Sequence, residues 1–141
     1  AAETLRPLFD QVDVLVVAAR DAATVLGREA DPATVAQNLA VDYDCDLVVL
    51  TRGDAGAVAA HEGATYEQDA LATDTVDPVG TGDAFVGGLL ASRLAGESVS
   101  EALEVAAATA ALKRTVAGDA AVVTPEEVAA VLEGGTDGID R

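Results

Sequence analysis

Residues Asp77–Asp83, DPVGTGD, stand directly ahead of the apolar run AFVGGLLASRLA, Ala84 to Ala95. Gly80 and Gly82 let the backbone turn sharply and leave amides uncovered by side chains. Consecutive N–H groups from Gly80 through Thr81 and Gly82 to Asp83 could then converge on a phosphate. A helix opening at Ala84 would add unsatisfied donors and a partial positive charge, completing an anion hole. Asp83 places a carboxylate at its mouth. Such a residue is either a helix cap or a general base that takes the proton of a hydroxyl attacking a terminal phosphorus. The glycines favour the second role, because a mere cap does not need them. The segment is not a Walker A loop, since no GKS or GKT follows, and it lacks the G-x-G-x-x-G of a dinucleotide site.

Charge narrows the partners. The chain has 25 acidic residues against 8 basic ones, a formal net charge of -17, and Lys113 is its only lysine. That field repels nucleic acid and anionic membranes, which excludes both as expected partners. With so few basic side chains, backbone donors and metal ions must neutralise a bound phosphate, which points to Mg-ATP rather than free phosphate. Small apolar residues, scarce lysine and an acidic surface together resemble proteins of a salt-rich cytoplasm, where screening relieves self-repulsion. The lone Cys45 cannot form an internal disulfide and reads as a buried thiol in a reducing cytoplasm. His61 has no cysteine or histidine companions for structural zinc. No run reaches the roughly 18 apolar residues of a spanning helix, and no basic-then-apolar signal pattern is present.

The elements that must carry this segment are α/β. At 141 residues the length fits one domain. Val12 to Ala18 is an apolar, β-branched block read as a buried parallel strand, followed by a short helix to about Leu26. Asp31-Pro32 caps a helix that carries Val35, Leu39 and Tyr43 at helical spacing, and Asp46 to Thr51 is a second buried strand. Strand, helix and strand make a βαβ unit. Ala57 to His61 and Ala64 to Gln68 read as a small hairpin at the sheet edge. Gly96 ends the helix that opens at Ala84, and Ser98 with Glu101 caps a longer one to about Arg114, with Ala102, Val105, Ala106, Thr109 and Leu112 buried. Val116 to Val123 is expected to return to the sheet. Thr124 and Glu127 open a last helix to about Leu132, and the tail 134–141 is expected to be flexible.

DTVDPVGTGDAFVGGLL, Asp74 to Leu90, resembles the second signature of the ribokinase-like (PfkB) carbohydrate kinases, with DPVGTGDAF as the matched core. The wording, together with AALKRTVAGDAAVVTPEEV, is most similar to archaeal 2-keto-3-deoxygluconate kinases. The resemblance implies a ribokinase-like three-layer α/β/α fold with a mostly parallel sheet. It implies ATP-dependent phosphorylation of a sugar or sugar acid, with Asp83 as base and Gly80, Thr81 and Gly82 as the anion hole. LTRGDAGA resembles the family's T-x-G-x-x-G turn along the nucleotide, which falls on Thr51, Gly53 and Gly56, although Gly53 and Gly56 could be ordinary turn glycines. Lys113 to Gly118 resembles the segment flanking the adenine pocket. A potassium ion, bound by some members, would fall on Asp77 and the carbonyl of Val79.

The family's N-x-x-E motif, which supports magnesium and phosphates, reads Ala18 and Asp21 here. The asparagine amide is gone and the carboxylate sits on a shorter stem. Asp21 could orient Mg2+ through water, or be a solvated helix-start acid. The resemblance covers nearly all of this chain but only the C-terminal half of a family member. Residues 1–133 would be the nucleotide-binding part, with the N-terminal half and its lid absent and the open sheet edge left for that half or for a second chain. A longer protein is therefore expected. Two readings stand beside the kinase: a fragment that binds nucleotide without turnover, and a structural α/β partner that binds nothing small. A ribokinase or fructokinase type of acceptor is also open.

Overall fold

The computed structural model describes residues 2–134, and the chain divides after Glu67 into two units. In the first, helix α1 (Ala2–Phe9) leads to strand β1 (Val14–Ala18), helix α2 (Ala19–Thr24), helix α3 (Pro32–Tyr43) and strand β2 (Leu47–Thr51). α3 begins where the Asp31-Pro32 pair directs. The Asp31 carboxylate accepts the Thr34 N–H at 3.1 Å, and Pro32 fills the first helical position, where no N–H is needed. β1 and β2 pair in parallel, from Val14 opposite Leu47 to Ala18 opposite Thr51.

β2 is buried along Leu47 to Leu50, as its unbroken apolar run requires. Val48 and Leu50 meet Leu15, Val35 and Leu39 in the core of this unit, where each fully buried aliphatic side chain contributes about 1.5–3 kcal/mol. Cys45 lies in the same core. Burial, reinforced by the carboxylates of Asp13, Asp44, Asp46 and Asp10, pushes its thiol up, so the nucleophilic thiolate is suppressed.

The expected hairpin is present as β3 (Ala57–His61) and β4 (Ala64–Gln68), and the sheet runs β1-β2-β3-β4. Its two-residue turn puts both Glu62 (φ 49°) and Gly63 (φ 78°) in the left-handed region, which matches the strand twist. β3 is antiparallel to β2, from Leu47 opposite His61 to Thr51 opposite Ala57. The link Arg52–Gly56 is too short for the crossover of a dozen or so residues that a parallel pair needs. The parallel expectation therefore holds for β1 with β2 and not beyond.

The second unit holds helices α4 (Thr81–Leu94), α5 (Val99–Arg114) and α6 (Pro125–Gly134). α5 opens on a complete capping box. The Glu101 N–H donates to Ser98 Oγ at 3.2 Å and the Ser98 N–H to Glu101 Oε2 at 2.9 Å. Thr124 and Glu127 repeat this reciprocal pair ahead of α6. The expected stripe of α5 is buried at Ala102, Ala106, Thr109 and Leu112 and half-buried at Val105. α4 lies close against it, since a Cβ on Gly88 would fall 2.7 Å from Thr109 Oγ1 and 3.1 Å from the Ala106 Cα. Leu112, Ala108 and Val131 join α5 to α6.

Two expectations are corrected here. α4 begins at Thr81 rather than Ala84, so Thr81, Gly82 and Asp83 are its first turn and not a loop before it. Val116 to Val123 forms no strand. It is a turn and extended coil, held at Gly118 by Asp77 and at Val116 by the Lys113 carbonyl. Of the tail expected over 134–141, Gly134 closes α6, and 135–141 lie outside the described residues. No helix among those described is long and apolar enough to cross a membrane.

Candidate active site

Gly80 is the residue before the first turn of α4, with φ 79°. A Cβ there would lie 2.3 Å from the Asp119 carbonyl oxygen, so both the left-handed backbone and the approach of the 119 segment demand glycine. Behind it the first N–H groups of the helix have no intrahelical acceptors. The Thr81 N–H is taken by the Pro78 carbonyl at 3.2 Å, and Thr81 Oγ1 donates to the same oxygen at 2.6 Å. The amides of Gly82 and Asp83 are then the donors the turn offers, at the positive end of a helix that runs to Leu94. Thr81 therefore drops out of the cradle of amides from Gly80 to Asp83 expected from the sequence.

Asp77 sets this turn in place. Its Oδ1 accepts the Val79 N–H and its Oδ2 the Gly118 N–H, each at 2.9 Å. These two bonds, with the Lys113 ammonium adding to them, hold the Asp77 carboxyl below the usual aspartate range. The N–H groups of Val76 and Asp77 donate to the Arg114 carbonyl at 2.8 and 3.1 Å. Lys113 is wholly buried, and its Nζ donates to the carbonyls of Val116 at 3.0 Å and Asp77 at 3.4 Å. The Lys113 ammonium is thus turned inside the fold, where it ties the end of α5 to the Asp77 turn.

Asp83 is exposed and is the third residue of α4. Among the described residues its carboxylate has no hydrogen-bond or ion-pair partner, so it does not cap the helix. It faces a cavity of about 750 Å³ whose lining includes Gly80, Gly88, Thr109, Asp119 and Val128. Sequence reasoning missed this cavity. Its one written signal is the row of small residues on α4, Ala84, Gly87, Gly88 and Ala91, continued by Ala95 just past its end, which leaves room beside the helix.

Asp77, Val79, Gly80, Thr81, Gly82, Asp83, Lys113 and Gly118 thus gather in the second unit. Asp21, Thr51, Gly53 and Gly56 belong to the first. Asp21 is the third residue of α2, exposed, and Arg20 Nε lies 3.7 Å from its Oδ1. Thr51 ends β2. A single 3-10 turn, Gly53–Ala55, follows, and the Arg52 N–H closes it on the Gly56 carbonyl at 2.8 Å. Gly56, at φ 85° and ψ -138°, occupies a region open essentially to glycine alone. Among the described residues no three His, Cys, Asp or Glu side chains gather to hold a metal. Magnesium would fit here only as an ion carried by phosphate oxygens and water with a lone carboxylate such as Asp21, a donor set that suits it.

The pattern of the pfkB family carbohydrate kinases matches residues 1–126. A 2-dehydro-3-deoxygalactonokinase of Haloferax volcanii is 57% identical over 141 residues, which is 100% of this chain and 44% of that protein. A 2-dehydro-3-deoxygluconokinase of Thermoproteus tenax is 34% identical over 123 residues, covering 86% of this chain and 37% of its own length. Among solved structures, a 2-dehydro-3-deoxygluconokinase of Thermotoga maritima superposes with a TM-score of 0.85 at 26% identity, over 94% of this chain and 45% of that one. A ribokinase of the same organism gives 0.79 at 21%, over 92% and 45%, and shares the fold. The chain spans less than half the length of each of these relatives and carries a part of the ribokinase-like fold. Matched over 126 of its residues by one family and identical at more than half its positions to a member, the chain belongs to the pfkB family of carbohydrate kinases.

Proposed function

We propose that this chain is the phosphoryl-transfer half of an ATP-dependent sugar-acid kinase that acts on 2-keto-3-deoxygluconate or its galactose-derived epimer. One observation carries the reading: Thr81, Gly82 and Asp83 open α4 behind Gly80, with the Asp83 carboxylate unspent in the lining of a cavity large enough for a nucleoside. The names and similarity of the relatives support the acceptor class.

In this reading the amides of Gly82 and Asp83 and the end of the helix dipole stabilise charge on the transferred phosphoryl group. Asp83 accepts the proton of the acceptor hydroxyl as its oxygen bonds to the terminal phosphorus and the bond to ADP breaks. Gly80 admits the close approach of the 119 segment, which walls the cavity beside the phosphates. Thr51, Gly53 and Gly56 are proposed to lie along the nucleotide. Magnesium, when bound, would supply charge neutralisation to the phosphates, and Asp21 is proposed as the carboxylate that would hold it through water. The acidic excess supports work in a salt-rich cytoplasm.

The chain's share of its relatives' length favours a second reading, nucleotide binding without turnover, because acceptor positioning and water exclusion need surrounding walls. ADP release measured in about 2 M KCl, where self-repulsion is screened, with MgATP and with or without the sugar acid, separates the two. Sugar-dependent release that drops by roughly 10²–10⁴-fold in Asp83→Asn, while MgATP still raises that variant's melting temperature, supports the kinase. Equal loss of nucleotide binding and turnover would sink Asp83 as the base. Stabilisation by MgATP with no release would leave binding alone.

A further inference from the structure

Lys113 is the only lysine in a chain of net charge -17, yet it is 0% exposed. Lysines ordinarily keep the ammonium in water, and a buried one must be met by acceptors. Its acceptors here are neutral main-chain oxygens, Val116 O at 3.0 Å and Asp77 O at 3.4 Å. Among the described residues no carboxylate forms an ion pair with it. Carbonyl oxygens closing on a single positive charge are the surroundings of a bound monovalent cation.

The potassium ion expected at Asp77 and Val79 does not fit these residues. Both Asp77 carboxylate oxygens already accept backbone N–H groups, and the Asp77 carbonyl already faces a cation. A second cation at that carbonyl would be repelled by the ammonium. We propose that Lys113 is a tethered monovalent cation, whose ammonium takes the place of a diffusible potassium ion and holds the Asp77 and Val116 carbonyls so that Gly80 can start α4. Lys113 is then a positioning residue, tied to the active-site turn by a side chain that cannot be diluted away.

Melting temperature tests this without relying on turnover, so the proposal can fail while the kinase reading stands, and the reverse. The purified protein is unfolded in potassium, sodium, ammonium and choline chloride at matched ionic strength. The unsubstituted protein should show no preference for potassium over sodium. Lys113→Ala, which empties the place, should melt roughly 5–10 °C lower in choline or sodium and recover at least half of that in ammonium or potassium. Lys113→Met, which fills the space without charge, should melt lower and be rescued by none of them. A potassium-selective rise in the unsubstituted protein that disappears in Asp77→Asn would overturn the proposal, as would full stability of Lys113→Met. If neither lysine variant folds in any salt, the cation series on the unsubstituted protein decides alone.

Discussion

The starts of α4 and α5 use the same two positions in opposite ways. At α5, Ser98 and Glu101 satisfy each other, each closing an N–H of the first turn. At α4, the residue in the place of Ser98 is Gly80, with no side chain, and Asp83, in the place of Glu101, reaches back to nothing among the described residues. A helix end left open is less stable by the caps it forgoes, about 1 kcal/mol for each N-cap residue. α4 is held from outside instead, by the Asp77 turn ahead of it, which bonds Gly118 41 positions further along the chain and Lys113 36 positions along. What differs between them is that one start is finished by its own residues and the other leaves its third-residue carboxylate without a partner among the described residues.

Filling the open start should do the most harm. Gly80→Ala brings a Cβ to 2.3 Å from a main-chain oxygen that no side-chain rotation can move, at φ 79°. Urea unfolding should show a loss of roughly 3 kcal/mol, the sum of strain at a special backbone position and a steric clash. A loss under about 1 kcal/mol would mean that the 119 segment yields and that Gly80 is not held as described. Ser98→Ala removes the cap of the closed start and should cost about 1 kcal/mol, with MgATP binding unchanged. A fall in nucleotide affinity with that substitution would break the distinction between a finished and a reserved helix end.

Much of this comparison could be read from the residues, and the unread part has a physical cause. Asp31-Pro32, Ser98 with Glu101 and Thr124 with Glu127 announce helices because their partners lie three residues away. The β-branched runs of β1 and β2 announce buried strands in the same local manner. The start of α4 was misplaced because Gly-Thr-Gly has poor helix propensity, and what makes it helical is the distant grip of Asp77 and Gly118. Val116 to Val123 has the composition of a strand, but its backbone is spent on that grip. Lys113 on an apolar helix reads as a charge at the water's edge, and only the approach of the Asp77 turn shows that it is enclosed. The glycines around Asp83 single it out as a candidate for chemistry, while its freedom from capping among the described residues shows only in the fold.

Acid sharpens the same comparison with a smaller effect. The Ser98 N–H and then its hydroxyl hold the Glu101 carboxyl below the ordinary glutamate value of 4.5, and the Val79 and Gly118 amides hold Asp77 below 3.8. A carboxyl depressed in the folded state stabilises it above the unfolded value, and that contribution is lost as pH falls through the folded one. Stability should therefore decline from about pH 4.5 downward, and Glu101→Gln with Asp77→Asn should flatten the decline. An unchanged slope in the double variant would show that other carboxylates carry the acid response.

The smallest expected change is the most direct measure of an open helix start. Asp83 accepts no N–H and pairs with no cation among the described residues, so its carboxylate contributes to the fold only through the helix dipole. Asp83→Ala should shift unfolding by no more than about 0.5 kcal/mol in either direction, against the larger cost of Ser98→Ala. Equal losses at the two positions would place Asp83 among the caps and return the GTGD turn to a purely structural role. A near-zero shift with turnover abolished would separate the carboxylate's chemistry from the fold that presents it, since the same side chain would then matter to the reaction and not to the helix.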